Sequence, residues 1–202
     1  LMRAVFGPDV IVMPWHHIGP FGASSFDEAH DKAFFNEAAV DLKKEYGNLR
    51  WKEKNFIDGM IHMLSAEPNS ATYLYRIIHS TSPVPLEASL GSDDSIKLWL
   101  NDLLVLDNKV LRAPVPDQDR VRLELAKGEN KLLIKVANGA AGSQFYFKTQ
   151  RMSSWSASRA VPNAGIMTWD GSFIPVQVEK VDDEKVYHSN VAIVRPNVST
   201  VF

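Results

Sequence analysis

Hydrophobic and polar residues alternate along most of the chain with a period of two. In the stretch SIKLWL, Ile96, Leu98 and Leu100 fall on one face of an extended backbone. Lys97 and Trp99 fall on the other face. This alternation predicts a β-strand whose aliphatic face is buried.

The most regular alternation lies in residues 119–139, which read DRVRLELAKGENKLLIKVANG. Two alternating arms flank the turn sequence KGEN, and the pattern predicts a β-hairpin. A second hairpin is predicted where Asn101-Asp102 separates the strands 95–100 and 103–108. The further predicted strands are 10–21, 49–56, 60–65, 71–80, 83–90 and 143–150.

Short strands that recur about every ten residues, without alternating helices, indicate an all-β protein. The predicted fold is therefore a β-sandwich or jelly roll. One short helix is expected near the N-terminus, over residues 25–39. Ser25 is suited to cap this helix, and Asp27 and Glu28 fall in its first turn.

The sequence changes character after residue 150. Residues 151–165 are rich in serine, alanine, proline and glycine, as linkers often are. Residues 166–194 contain two turn signals that separate three short alternating strands. We therefore predict a β-sandwich over 1–150, followed over 151–202 by a linker and a small three-stranded C-terminal β extension.

Composition argues against several classes of function. The 22 lysine and arginine residues are scattered and the net charge is −2, so no nucleic-acid surface is predicted. The chain has no cysteine, which removes disulfides, thiolate metal sites and a cysteine nucleophile. No apolar run is long enough for a membrane helix, so no membrane insertion is predicted.

Several motifs follow one another in an order that resembles a known family. They are WHHIGPF (15–21), DLKKEYGNLRWKE (41–53), ATYLYRIIHS (71–80), GSDDSIKLWLND (91–102), DQDRVRLELAKGENKLLIKVANG (117–139) and FYF (145–147). The series resembles the galactose-binding-like β-sandwich modules in large exported proteins of planctomycete bacteria. Family members usually carry glycine where this chain has Ser95 and Asp102.

The resemblance implies a carbohydrate-binding type of domain. A more distant resemblance is to the lectin module named after anthrax protective antigen, in which an Asp-Asp pair before a strand holds calcium and the calcium holds the sugar. Asp93 and Asp94 occupy that place here, and paired carboxylates suit a calcium ion. Asn101 or Asp102 would add a further oxygen. The alternative is a polar turn, because aspartate readily bonds its own backbone in turns.

The predicted metal ligands are Asp93, Asp94 and Asp102. The predicted ligand-binding residues are Trp99, Asn101 and Asp94, with the Trp99 ring as a platform for a sugar. The alternative for Trp99 is burial, because both faces of a strand inside a sandwich can be covered.

Zinc binding and catalysis find little support in the sequence. Neighbouring strand residues point to opposite faces, so His16 and His17 cannot chelate one ion as a simple pair. Serine, histidine and aspartate are present without the context of a nucleophile elbow. No self-contained enzyme is predicted.

The sequence thus predicts a non-catalytic carbohydrate-binding module with calcium as its expected cofactor. Its partners would be a polyhydroxylated ligand and the neighbouring domains of a larger bacterial protein, secreted, periplasmic or on the cell surface. The chain begins at Leu1 without an export signal, which we expect to lie upstream. Two alternatives stay open, a structural or protein-interaction spacer and a polysaccharide-active enzyme.

Overall fold

The computed structural model describes most of the chain and divides it into two compact units, Leu1–Arg151 and Met152–Phe202. The described residues are 9–140, 142–151, 165–168, 173–175, 180–181, 185–188, 191–194 and 198–201. Strands dominate both units, and the prediction of an all-β sandwich with one short helix is confirmed. No helix among these residues is long and apolar enough to span a membrane.

The strands of the first unit match the predicted segments closely. Their order along the chain is β1 Val10–Val12, β2 Trp15–Gly22, α1 Phe26–Asp31, β3 Glu45–Tyr46, β4 Leu49–Arg50, β5 Lys52–Lys54, β6 Ile61–Ser65, β7 Ser70–Ser80, β8 Val84–Asp93, β9 Ser95–Leu100, β10 Leu103–Asn108, β11 Asp119–Leu125, β12 Gly128–Asn138 and β13 Ser143–Arg151.

Two antiparallel sheets form the sandwich. The larger has the order β10-β9-β12-β7-β2-β5, with β1 also paired to β7, and the smaller has the order β11-β8-β13-β6. The hairpin predicted over 119–139 is therefore wrong, because β11 pairs with β8 and β12 pairs with β7 and β9, so the chain crosses between the sheets at this turn. Between them lies a core to which the larger sheet contributes Ile96, Leu98 and Ile134 and the smaller sheet Leu86 and Phe147. The aliphatic face of SIKLWL is therefore buried, as predicted.

The larger sheet is covered on its outer face as well. Tyr73 and Leu74 are neighbours on β7 and point to opposite faces, yet both are fully buried. A second hydrophobic cluster on the outer face includes Phe21, Phe35 and Trp51, which come from β2 and from the segment between α1 and β5. Strand β7 is therefore covered on both faces.

The helix is much shorter than the predicted range 25–39. Ser25 caps it as expected, because its hydroxyl accepts the backbone N–H of Glu28 at 3.1 Å. The helix ends at Asp31, and Lys32 is extended. The buried Lys135 ammonium donates to the carbonyls of His30 and Lys32, each at 2.7 Å, and so satisfies carbonyls that the helix leaves open.

The second unit contains more strands than predicted. They are β14 Gly165–Thr168, β15 Phe173–Pro175, β16 Lys180–Val181, β17 Lys185–His188, β18 Val191–Val194 and β19 Val198–Val201. These form two three-stranded sheets, β15-β14-β19 and β16-β17-β18, in place of the single sheet expected. Strands of two to four residues hold too few alternations for a sequence pattern to separate them. The predicted linker from 152 to 164 lies outside the described residues.

The adjacent histidines point to opposite faces, as predicted. His16 pairs with Tyr75 and His17 with Leu74, so His17 faces the interior between the sheets. Burial, helped by the charges of Lys54 and Lys52, lowers the pKa of His17 from 6.5 to about 4.

This depressed pKa predicts a loss of stability in mild acid. The folded state binds the His17 proton less well than the unfolded chain, so the stabilisation is full above pH 6.5 and is lost as pH falls toward 4. Between pH 6.5 and 4 the wild type should lose up to about 3 kcal/mol of unfolding free energy through this histidine, and we expect His17→Gln to lack that loss. Urea unfolding at several pH values measures the difference. His79→Gln, at a half-exposed histidine, is the matched control. Equal slopes for wild type and His17→Gln would contradict the assignment.

Candidate ligand-binding site

The acid pair lies where the chain crosses between the two sheets. β8 in the smaller sheet ends at Asp93, and β9 in the larger sheet begins at Ser95. The Asp93-Asp94 peptide bond is cis. Asp94 is only 7% exposed, so the pair is not a solvated polar turn.

The Asp94 carboxylate is bound by the backbone of two loops. Its Oδ1 accepts the N–H of Arg112 at 2.9 Å, and its Oδ2 accepts the N–H of Gly139 at 2.9 Å. The first loop connects β10 to β11 and the second connects β12 to β13. Hydrogen bonds to a charged acceptor are strong, so Asp94 fixes both loops at the crossing.

The neighbouring polar groups are paired with one another. The Arg112 guanidinium donates to Ser92 Oγ at 2.8 Å and forms an ion pair with Asp119. The Asn108 amide donates to the other oxygen of Asp119 at 2.7 Å. These contacts commit both oxygens of Asp119 to the structure, whereas the buried Nε–H of Arg112 has no partner among the described residues.

Asp93 lies on a different surface from Asp94. It is opposite Gln144 on β13, on the outer face of the smaller sheet. Burial, followed by the charge of Asp94, raises the pKa of the Asp93 carboxyl above its ordinary value.

The three predicted metal ligands do not lie together. Asp102 lies at the opposite end of β9 from the acid pair, and six strand residues span about 20 Å. Among the described residues, no three histidine, aspartate or glutamate side chains come together in a way that could hold a metal ion. Asp93, Asp94 and Asp102 do not form one cluster, because residues at the two ends of a strand are close in sequence but far apart in space.

Asn101 and Asp102 form the predicted two-residue hairpin turn. Both have positive φ, 49° and 68°, the conformation that this turn requires and that glycine adopts most easily. The Asn101 side chain donates to Asn130 Oδ1 at 2.9 Å and accepts the backbone N–H of Lys131 at 2.8 Å. The Asn101 amide is therefore engaged in holding the turn, and its role in ligand binding stays a prediction.

Trp99 lies on the outer face of the larger sheet, at the margin of the second hydrophobic cluster. It packs against the second hydrophobic cluster and stays partly exposed. Its neighbours across the sheet are Leu104 on β10 and the buried Leu133 on β12. Leu104 is 44% exposed, so the two side chains form an apolar surface that we name the Trp99 platform, consisting of Trp99 and Leu104.

Charged pairs flank the Trp99 platform along the strands. On one side, Lys97 Nζ lies 3.3 Å from Asp107 Oδ2, and the buried His30 donates its Nε2–H to Asp107 Oδ1 at 2.9 Å. On the turn side, Lys131 Nζ lies 4.0 Å from Asp102 Oδ2. Half or more of the Lys131 side chain is exposed, as is much of Asp102. The arrangement offers an apolar patch with hydrogen-bonding groups at both ends.

The structure thus separates the three predicted ligand-binding residues. Trp99 is on an open surface, Asn101 is in a turn, and Asp94 is buried at the far end of β9. Sequence reasoning missed Leu104 and Asp107. The two-residue turn already implies that Leu104 faces Trp99, but a bulge between Leu104 and Leu106 shifts the register and brings Asp107 opposite Lys97.

Comparisons with known proteins give only distant structural likenesses. No protein-family model matches the chain, and no curated protein matches it. The chain is similar to a β-glucosidase from Kluyveromyces marxianus in complex with glucose, with 14% identity, 73% of this chain and 16% of that chain covered, and a TM-score of 0.39. It is also similar to a PA14 sugar-binding domain from an RTX adhesin, with 9% identity, 42% of this chain and 48% of that chain covered, and a TM-score of 0.33.

A third likeness is to the PA14 domain of the MpAFP antifreeze protein, with 7% identity, 42% of this chain and 45% of that chain covered, and a TM-score of 0.33. The chain spans less than half the length of each of these three proteins. At these scores the likenesses assign neither a family nor a function to the chain.

The geometry predicts different effects for the two acids. Asp94→Ala leaves two loop N–H groups without their charged acceptor, and we expect it to lower the free energy of unfolding by about 3 kcal/mol, with or without calcium. Asp93→Ala is the matched control, and we expect a change within about 1 kcal/mol. Urea unfolding in calcium and in chelator measures both. If both variants lowered the free energy of unfolding by similar amounts, and only in calcium, the result would support a calcium site at the acid pair.

Proposed function

We propose that the chain is a non-catalytic carbohydrate-binding module that takes a polyhydroxylated ligand on the Trp99 platform. The observation that carries the proposal is the position of a partly exposed tryptophan and an exposed leucine between two charged pairs. We extend the proposal to the setting expected from the sequence, a larger exported bacterial protein whose other domains are the neighbours of this module.

The chemistry of a sugar fits this arrangement. The CH face of a pyranose ring is apolar and gains from contact with an aromatic face, while its hydroxyls need hydrogen-bonding partners at the ring edge. The platform supplies the apolar contact. Asp107 and Asp102 accept hydrogen bonds and Lys131 donates them, at opposite ends of the platform.

The surface is preorganised for binding. Trp99 packs on the second hydrophobic cluster, and Lys97 and Asp107 hold each other in place, with His30 fixing Asp107 from below. Side chains that are already held lose little conformational entropy when a ligand arrives.

We propose that this binding does not need calcium. Both carboxylate oxygens of Asp94 accept hydrogen bonds from backbone N–H groups. The acid pair lies at the end of β9 opposite the hairpin turn. The platform and its flanking pairs contain no residue of the acid pair.

The alternative function, a protein-interaction spacer without a small ligand, is favoured by a separate surface. The edge strand β6 exposes Ile61 and Met63 on the smaller sheet, and Ile57 and Met60 before it are also exposed. An apolar edge strand of this kind often marks a contact with another protein.

Loss of the Trp99 ring tests the proposed function. We expect the wild type to bind on a glycan array, and Trp99→Ala to weaken the best ligand about tenfold or more in titration calorimetry, because an aromatic stacking contact is removed. Trp99→Phe should retain part of the affinity. Binding should be unchanged in chelator.

Met63→Ala is the matched control, because Met63 is 60% exposed and lies on the other sheet. Absence of glycan binding by the wild type, or equal affinity for Trp99→Ala, would remove the proposed function and leave the spacer. If the wild type bound the glycan in calcium but not in chelator, calcium would take part in binding.

A further inference from the structure

A small cleft lies at the opposite edge of the larger sheet from the Trp99 platform. β10 and β9 form one edge of that sheet, and β5 forms the other. The cleft lies beside β2 and β5, and the residues that line it are His17, Gly19, Asn48, Leu49, Arg50, Lys52 and Lys54. Three of its seven lining residues are cations.

The three cations form a row because of strand geometry. β5 pairs with β2 so that Lys52 is opposite His17 and Lys54 is opposite Trp15. In an extended chain, side chains two residues apart point to the same side, about 6.6 Å apart. Arg50 precedes Lys52 by two residues, and Trp51 between them is buried in the second hydrophobic cluster on the outer face.

Within residues 9–140 and 142–151, the three cations of this row have no ion-pair partner within 4 Å, although Glu45 lies opposite Arg50 across the β3–β4 hairpin. By contrast, Arg76 and Arg112 are each paired with an aspartate. Three like charges around one concavity repel one another and attract an anion.

The positive charges of the row also act on His17, which lies in the cleft. The pKa of His17 is lowered mainly by burial and then by the charges of Lys54 and Lys52, to about 4. His17 is therefore neutral at pH 7 and adds no charge of its own to the row. Asn48, also in the lining, brings an amide that can donate to an oxygen.

We propose that this cleft binds an oxyanion, a carboxylate, sulfate or phosphate group carried by a ligand. The Arg50 guanidinium offers a forked donor that matches two oxygens of such a group, and the lysine ammonium groups add point charges beside it. The site is separate from the Trp99 platform, so neither proposal depends on the other.

An NMR titration tests the cleft with inorganic sulfate, inorganic phosphate and sodium glucuronate, at ionic strength held constant with chloride. Glucose serves as the neutral control. We expect saturable shifts of the amides at 17–19 and 48–54 with at least one of the three anions, and none with glucose. The anion that binds best identifies the kind of group.

Charge-removing variants separate a site from general attraction. We expect Arg50→Gln/Lys52→Gln to weaken the binding about tenfold or more, and Lys52→Arg, which keeps the charge, to retain it. The matched control is Lys43→Gln/Lys127→Gln, which removes the same charge from exposed residues outside the cleft lining. Trp99→Ala should leave anion binding unchanged.

The imidazole gives a second readout. A bound anion should raise the pKa of His17, followed by its ring proton shifts, and so should Lys52→Gln/Lys54→Gln without any anion, because both reduce the positive field. No saturable shift with any of the three anions overturns the proposal, as does an equal loss of binding in the control variant.

Discussion

The central part of the larger sheet is apolar on both faces, and most of the first unit is arranged to keep water from it. Tyr73 and Leu74, consecutive on β7, are both fully buried. The smaller sheet covers one face, and α1 with the segment up to β5 covers the other. A sheet buried on both sides cannot stand alone, so the short helix and the irregular segment are required by the burial of this sheet rather than appended to it.

The two proposed sites lie at opposite edges of the larger sheet and on opposite faces of it. Trp99 is opposite Leu133 on the outer face, whereas Lys52 is opposite His17 on the inner face. At the β10 edge, the apolar side chains of Trp99 and Leu104 extend beyond the second hydrophobic cluster and are exposed in part. At the β5 edge the side chains turn polar, and Arg50, Lys52 and Lys54 face a cleft. The contrast follows from the residues that alternate with the buried ones, which are apolar at the first edge and cationic at the second.

Buried charges in this fold serve mainly to hold backbone. Asp94 accepts two loop N–H groups and Lys135 donates to two carbonyls after the helix. Each charge thereby meets groups that would otherwise lack partners, which offsets much of the cost of its burial.

Local pattern alone determined most strands of the first unit, the hairpin at Asn101-Asp102, the cap at Ser25 and the outward side of Trp99, because side-chain direction in a strand depends only on a period of two. It did not predict β3, nor that β11 and β12 pair in different sheets. The length of the helix, the bulge that brings Asp107 beside Lys97, the burial of Asp94 and the distance between Asp94 and Asp102 were decided by tertiary structure. These depend on which segments lie side by side, and long-range contacts such as Lys135 with His30 leave no local signal in the sequence.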